Sequence, residues 1–250
     1  MLFFSNTIIF LFCLISLMFF SKYANKISFL DNPNHRSSHS KPTPKSSGVI
    51  ISIFVTIIFI FYSNLNFYIY TPIILFCILG LIDDIYDIKP TLKFFFQALI
   101  TSFIFFFLNK VSYINYFDSS FINYLFFLSF SLYFMNIFNF MDGIDGLAAS
   151  QSLFFILSLL IIHKFNLHNI EITNELFFLL SILSAQLVIN YTKYKIFLGD
   201  SGSLYISNII IILFFIIFGE NINFLSIFII IFIYFIFDTT LTIFRRLKNY

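Results

Sequence analysis

Charged side chains are scarce in this 250-residue chain, because only 10% of its residues are Asp, Glu, Lys or Arg, whereas 60% are hydrophobic. A soluble domain usually carries about 25% charged residues. The composition therefore excludes a soluble protein and predicts an integral membrane protein with several spans. The net charge of +2 gives no excess of basic residues, so we expect no nucleic-acid partner.

Cysteine is also rare, since Cys13 and Cys77 are the only two and each lies inside an apolar run. We interpret both as buried packing residues rather than as a disulfide or a metal pair. The first apolar run lacks a basic leader and a small-residue cleavage site. We therefore interpret it as a retained first helix and not as a signal peptide.

Long apolar runs occupy most of the chain. A spanning helix needs about 20 mostly apolar residues, and these runs are apolar on all sides, which favours helices over the alternating strands of a barrel. The sequence predicts an all-α, polytopic helical bundle that forms one membrane domain over residues 1–250. The nine predicted helices are residues 2–20, 48–64, 69–82, 92–108, 121–140, 146–162, 174–190, 203–218 and 222–240.

The basic residues favour one side of this bundle. With connections that alternate between the two sides, 12 of the 14 Lys and Arg residues share one side, and Lys110 and Lys164 lie on the other. The positive-inside rule places the richer side in the cytoplasm, with the N-terminus outside and the C-terminus inside. Seven aspartates fall on the same side, in four short polar motifs.

Asp83, Asp84 and Asp87 follow the third predicted helix. Adjacent carboxylates raise each other's pKa unless a cation is present, so a divalent ion with bound phosphate is the simplest explanation. A solvated helix end is the alternative, although acids there oppose the positive-inside trend. The D-D-x-x-D pattern alone is not specific, because prenyl-transferring enzymes use similar runs.

A second polar group, Asn136, Asn139, Asp142 and Asp145, recurs at every third residue. On an unbroken helix this spacing would spread the four side chains over half of the circumference. The glycines on either side of Asp145 instead predict that the helix ends near Asp142 and that the acids lie on a turn. A capping cluster is the alternative, but it does not explain four polar side chains at a membrane edge.

The segment Phe197-Leu-Gly-Asp-Ser-Gly-Ser203 precedes the eighth predicted helix, and Asn190 ends the seventh. Asp200 or Ser201 can cap the eighth helix, whose N-terminus attracts anions. The first loop, residues 21–47, is rich in proline and small polar residues, which predicts ordered turns. Its side chains that can bind anionic oxygens, or simply touch lipid headgroups, are His35, Arg36, His39, Lys41 and Lys45.

Together these motifs resemble the polyprenyl-phosphate N-acetylhexosamine-1-phosphate transferase family, most closely its bacterial O-antigen and capsule branch. The matching segments follow the family's order and extend over essentially the whole chain. They are Pro33-Asn-His-Arg-Ser-Ser-His39 with Pro42-Thr-Pro44, Asp83-Asp84-x-x-Asp87, Asn136-x-x-Asn139-x-x-Asp-Gly-Ile-Asp-Gly-Leu-Ala148 and Phe197-Leu-Gly-Asp-Ser-Gly-Ser203.

The resemblance implies transfer of a HexNAc-1-phosphate group from a UDP-sugar to polyprenyl (undecaprenyl) phosphate, with release of UMP. This would be the first membrane step of cell-surface polysaccharide synthesis, such as that of lipopolysaccharide O-antigen. The resemblance also implies a multi-pass protein of the bacterial inner (plasma) membrane, an active site that faces the cytoplasm, and Mg²⁺ as cofactor with Mn²⁺ as the alternative. The sugar, the lipid length and a homodimer stay open.

By the same resemblance, Asp200 is a metal ligand, and Asp83 and Asp84 lie at the catalytic centre and reach the metal. We interpret Asp83 first as a positioning or metal-linked group and second as a base, because a phosphate monoester with a second pKa of about 6 is largely ionised near neutral pH. The residues implied for binding the nucleotide are Asn139, Asp142, Asp145, Asn190 and Phe197. Those implied for binding phosphate or substrate are the five first-loop side chains above. Asp87 and Asn136 are further site residues.

Two features depart from the family pattern. The family usually has Pro-Thr-Pro-Arg-Gly-Gly in the first loop, where this chain has Lys45, Ser46 and Ser47. Lysine cannot form the bidentate fork of arginine, and serine restricts a turn that needs a positive φ. The family also carries a His-rich cytoplasmic motif and at least one helix beyond the ninth. We expect this chain to lack that part and to turn over very slowly, or not at all.

Three other functions stay open at this level. The first is that of an inactive or truncated relative that acts as a non-catalytic partner. The second is that of an aspartate-rich intramembrane prenyltransferase, whose second acidic motif would be Asp142-x-x-Asp145. The third is a transporter, which would place acids near the membrane midplane rather than at one face.

Overall fold

The computed structural model describes residues 2–24, 29–31, 42–62, 67–110, 114–164, 172–219 and 222–248. Two short strands, β1 (Leu30–Asp31) and β2 (Thr43–Pro44), pair antiparallel, and a 3₁₀ turn covers Ile222–Phe224. The ten helices of these residues are α1 (Leu2–Ala24), α2 (Gly48–Tyr62), α3 (Phe67–Tyr86), α4 (Pro90–Lys110), α5 (Ser120–Met141), α6 (Leu147–Lys164), α7 (Thr173–Asn190), α8 (Gly199–Phe218), α9 (Leu225–Ile231) and α10 (Ile233–Lys248).

The described helices are those of a polytopic membrane protein. Five of them are long and apolar enough to cross a membrane, and a sixth span results if α9 and α10 count as one bent span. The helices α2 and α6 are apolar but shorter. The prediction of an all-α, multi-pass bundle is therefore confirmed, whereas the count of nine spans and the orientation stay predictions.

The first eight predicted helices correspond to α1–α8, but the ninth is not one straight helix. The chain breaks at Phe232, and α9 and α10 differ in direction by 72°. The Phe232 ring lies 4.7 Å from that of Phe134 in α5 and 5.5 Å from that of Phe155 in α6, measured between centroids. Contacts of this kind stabilise a fixed aromatic geometry, so tertiary packing holds the break in a run that the sequence shows as continuous.

Helix α8 is the centre of the bundle and is buried along almost its whole length. It is apolar on every side after its first turns, which is the pattern of a helix surrounded by other helices. Phe215 packs against Phe127 of α5, and Phe214 packs against Phe228 of α9, each with centroids 4.9 Å apart. The helices around α8 therefore pack against it.

The first turn of α8 meets α2 and α3 backbone to backbone. A Cβ added to Gly80 of α3 would overlap the backbone of Asp200 and Ser201, and one added to Gly48 would overlap Gly202. Small residues allow membrane helices this close approach. Because Asp83 and Asp84 follow one turn after Gly80, the same contact brings the acidic end of α3 to the N-terminus of α8.

We expect Gly80→Ala to destabilise the protein by about 1–3 kcal/mol through overpacking, despite the better intrinsic helix propensity of alanine. The thermal unfolding midpoint in detergent would measure the loss. Gly143→Ala is the matched control, since a Cβ at Gly143 would meet nothing within 4 Å. Equal midpoints for the two variants would contradict the close approach of α3 and α8.

Candidate active site

A polar cavity of about 190 Å³ lies where the ends of α3, α5 and α8 meet. The structure brings eight of the predicted site residues to its walls, namely Lys45, Asp83, Asp84, Asp87, Asn139, Asp142, Phe197 and Asp200. Asp31, Gly143 and Gly199 also line it. Residues that are up to about 170 positions apart in the sequence thus share one small space.

Lys93, in the first turns of α4, lies between two of these carboxylates. Its Nζ is 2.6 Å from Asp83 Oδ2 and 2.6 Å from Asp200 Oδ2. The three side chains are largely buried, with exposed fractions of 14%, 10% and 25% for Lys93, Asp83 and Asp200. From the sequence, Lys93 is expected only to be one of the basic residues on the cytoplasmic side. The structure adds it to the candidate site.

Asp84 connects α3 to the first turn of α8. Its Oδ1 accepts the backbone N–H of Asp200 at 3.0 Å, and its Oδ2 accepts that of Ser201 at 3.2 Å. The Ser46 hydroxyl donates to Asp84 Oδ2 at 2.7 Å, and the Lys45 ammonium lies 3.7 Å from Oδ1. Asp84 is therefore surrounded by donors, and its carboxylate satisfies two N–H groups that a helix N-terminus leaves without an intrahelical partner.

Asp142 completes the end of α8 from the side of α5. The prediction that the helix ends near Asp142 is confirmed, because α5 ends at Met141 and Asp142 is its C-cap. Asp142 Oδ2 accepts the backbone N–H of Gly199 at 2.9 Å. Desolvation raises the pKa of Asp142 well above its usual value, and the Asp200 and Asp84 charges add to the effect of burial, whereas the bond from Gly199 opposes it.

The prediction that Asp200 or Ser201 caps α8 is wrong. Leu198 is the N-cap residue, and it makes no capping bond with its side chain. The acceptors come instead from Asp84 and Asp142, which belong to other parts of the chain. Capping by distant carboxylates leaves the Asp200 side chain directed at Lys93 rather than at its own helix.

The remaining predicted nucleotide residues have separate surroundings. Asn139 Oδ1 accepts a bond from the Ser203 hydroxyl at 2.6 Å. Asp145 lies outside the cavity lining and pairs with Lys195 at 2.6 Å, while the Lys195 Nζ lies 4.9 Å from the centroid of the Phe197 ring. One cation therefore contacts both an acidic side chain and the aromatic side chain that borders the cavity.

Asn136 and Asn190 are not among the residues that line the cavity. Asn136 Nδ2 donates to Gln97 Oε1 at 3.3 Å, and Asn190 Oδ1 accepts from Gln186 Nε2 at 3.2 Å. These contacts link neighbouring polar side chains inside the bundle. The predicted residues His35, Arg36, His39 and Lys41 lie outside the described residues.

The cavity is strongly acidic. Within the described residues, six aspartates line it, and the cations beside them are Lys45 and Lys93. The described part of the chain contains no group of three or more His, Cys, Asp or Glu side chains in a metal-binding arrangement. The donors nevertheless suit a hard cation, because Mg²⁺ prefers oxygen and usually takes one or two carboxylates, and Asp83 and Asp200 already converge on one positive charge.

The chain that forms this cavity is similar in sequence to known proteins. The sequence model of glycosyl transferase family 4 matches residues 66–220. An undecaprenyl-phosphate alpha-N-acetylglucosaminyl 1-phosphate transferase of Thermotoga maritima is 31% identical over 73% of this chain and 55% of its own length. A phospho-N-acetylmuramoyl-pentapeptide-transferase of Dictyoglomus thermophilum is 31% identical over 67% of this chain and 58% of its own length.

A third relative, an undecaprenyl-phosphate alpha-N-acetylglucosaminyl 1-phosphate transferase of Escherichia coli O157:H7, is 27% identical over 78% of this chain and 57% of its own length. The chain thus spans little more than half the length of these relatives. The matched residues 66–220 include every described wall residue of the cavity except Asp31 and Lys45.

We expect Lys93→Met to lower the free energy of unfolding by about 3 kcal/mol, because it leaves Asp83 and Asp200 as buried charges without their shared cation. The measurement is the thermal unfolding midpoint in detergent with a chelator present. Lys195→Met is the matched control, since it breaks a more exposed pair worth about 1 kcal/mol or less. A Lys93→Met variant as stable as the control would show that the Lys93 contacts are weak.

Proposed function

Because this chain belongs to glycosyl transferase family 4, we propose that it transfers a HexNAc-1-phosphate group from a UDP-sugar to undecaprenyl phosphate and releases UMP. One observation carries the proposal: Asp83, Asp84 and Asp200, from two helices of the matched region, meet in one acidic cavity. The names of the Thermotoga and Escherichia relatives supply the acceptor lipid and the type of sugar phosphate.

The acidic cavity supports phosphoryl transfer because this chemistry depends on positioning and charge neutralisation more than on covalent catalysis. Asp83 and Asp200 would hold Mg²⁺, which would neutralise charge on the sugar-nucleotide diphosphate. Lys93 is within reach of the same two carboxylates and carries a second positive charge toward the phosphates. Asp84 keeps its bonds to α8 and so holds Asp200 in place.

The nucleotide end of the substrate belongs on the side of the cavity formed by α5 and the segment before α8. Phe197 offers an aromatic face there, and Asn139 and Asp142 offer polar atoms on the same wall. Asp142 Oδ2 already accepts one N–H, which leaves acceptor capacity for a uracil or ribose donor. Lys195, which pairs with Asp145 outside the cavity lining, contacts the Phe197 ring.

The site would work at the cytoplasmic face of a bacterial inner membrane, where UDP-sugars are available. The support is the distribution of charge, because in the topology predicted from the sequence 12 of the 14 basic residues share the side of the acidic motifs. The transfer would form the first lipid-linked intermediate of a cell-surface polysaccharide.

A reporter fusion tests the orientation. A cytoplasm-dependent reporter fused after Tyr250 should be active and a periplasm-dependent one silent, because the C-terminal basic residues oppose translocation. Fusions after Asp118, in the segment before α5, should show the opposite result and serve as the control. The reverse pattern in both positions would place the acidic cavity outside the cell.

The activity is tested by release of UMP from a panel of UDP-HexNAc donors, with membranes that contain the chain, undecaprenyl phosphate and Mg²⁺. The chain is assayed both alone and with the C-terminal part of the Thermotoga maritima relative appended after Tyr250. We expect turnover that depends on Mg²⁺ and falls at least roughly 100-fold in Asp200→Asn, because the proposed Mg²⁺, which stabilises charge on the reacting phosphates, would lose a carboxylate ligand.

Asp118→Asn is the matched control, since Asp118 is an exposed carboxylate in the segment before α5 and is not among the residues that line the cavity. The parent and Asp118→Asn should turn over equally. Retention of most activity by Asp200→Asn at saturating Mg²⁺ would remove Asp200 from the metal role. Donor binding without turnover in both forms of the chain would favour the non-catalytic relative instead.

A further inference from the structure

We propose that Ser46 is a positioning residue whose hydroxyl holds Asp84, and through Asp84 the first turn of α8, in the orientation that presents Asp200 to the cavity. The structural part of this inference is independent of the reaction. Its kinetic part rests on the proposed function, because it assumes that Asp200 acts on the substrate.

The first observation is the backbone of Ser46, which has a φ of 73°. Residues other than glycine rarely adopt this left-handed conformation, because the Cβ atom crowds the backbone. Ser46 is also completely buried. A strained, buried serine persists only when its surroundings compensate for the strain, so we expect its side chain to make a stabilising contact.

The contact is the bond from Ser46 Oγ to Asp84 Oδ2, at 2.7 Å. The Asp84 side chain is only 2% exposed, so bulk solvent reaches it poorly and replaces a missing donor only in part. In the described part of the chain, Ser46 is the one side-chain hydroxyl that donates to Asp84, and the Lys45 ammonium at 3.7 Å is too far for a hydrogen bond. A donor to a buried charged acceptor is worth more than an ordinary hydrogen bond.

The second observation is how tightly this carboxylate is enclosed. A Cβ added to Gly199 would lie 2.7 Å from Asp84 Oδ2 and 2.7 Å from the Ser46 nitrogen. The same carboxylate accepts the N–H groups of Asp200 and Ser201. A rotation of Asp84 would therefore disturb the first turn of α8 directly, and the bond from the Ser46 hydroxyl to Asp84 Oδ2 opposes that rotation.

A comparison of the two neighbouring serines shows that burial alone is not the reason. Ser47 is also completely buried, but its Oγ finds no hydrogen-bond partner among the described residues, and its φ is not positive. In the family that the motifs resemble, this stretch usually contains two glycines. Glycine at position 46 would adopt the left-handed φ without strain but would leave Asp84 without this donor.

Amide hydrogen exchange measured by mass spectrometry tests the structural part on the whole chain in detergent. The readout is the exchange rate of the peptide that contains the Asp200 and Ser201 N–H groups. We expect Ser46→Ala to increase this rate about tenfold or more, since a bond to a buried charge is lost. Ser47→Ala, which removes an unbonded hydroxyl next to it, should leave the rate unchanged. Equal rates for the two variants would overturn the proposal.

Ser46→Gly separates the hydroxyl from the backbone strain. It should exchange as fast as Ser46→Ala, because both lack the donor, yet unfold at a higher temperature than Ser46→Ala, because glycine removes the strain. Exchange of Ser46→Gly at the parent rate would show that the hydroxyl is dispensable and that only the turn conformation matters, which would also overturn the proposal.

The kinetic test uses the UMP-release assay. We expect Ser46→Ala to lower kcat about tenfold while KM for the UDP-sugar changes by less than about twofold, since an effect through Asp200 acts on the transition state more than on donor binding. Ser46→Cys, whose thiol is a weak donor of similar size, should recover part of kcat. A rise in KM alone would contradict the positioning role. If neither the chain alone nor the chain with the appended C-terminal part turns over, the proposed function fails, and the exchange experiment still decides the role of Ser46.

Discussion

The end of a helix in an apolar bundle needs acceptors for its free N–H groups, and the architecture of this site depends on how α8 obtains them. Buried N–H groups without partners are costly, and α8 begins inside the bundle rather than at an open surface. Asp84 and Asp142 supply the acceptors from α3 and from the turn after α5. The same bonds that satisfy α8 therefore join three helices around one cavity.

Close contact between backbones makes these bonds geometrically possible. Gly48 and Gly80 let α2 and α3 approach the first turn of α8 without intervening side chains. The carboxylate of Asp84 then reaches backbone atoms of α8 directly, and Asp83, its neighbour, faces Lys93 together with Asp200. Packing of small residues and placement of charge are thus two aspects of the same helix crossing.

The predictable part of the site comes from short polar motifs that interrupt apolar runs. The motifs place the acidic side chains at helix ends, the resemblance to the transferase family groups Asp83, Asp84 and Asp200, and the glycines around Asp145 predict the end of α5. These signals are local in the sequence. They do not require knowledge of which helices touch.

The parts that could not be predicted depend on tertiary contacts. Lys93 lies inside an apolar helix, and nothing in its neighbours indicates that it meets Asp83 and Asp200. The break at Phe232 has no proline or glycine beside it and depends on rings from α5 and α6. Asn136 has the spacing of a site residue, but its amide bonds to Gln97, because in an apolar interior polar side chains pair with one another.

The excess of aspartate over lysine in the cavity has a thermodynamic consequence. Among the described residues, six aspartates line the cavity and Lys45 and Lys93 lie beside them, so an anion that entered alone would meet net repulsion, and a cation that entered with it would reduce that repulsion. Binding of the two would therefore be coupled, and by linkage each would raise the affinity for the other by the same factor. Such a cavity would hold an anionic ligand more tightly with a bound cation than without one.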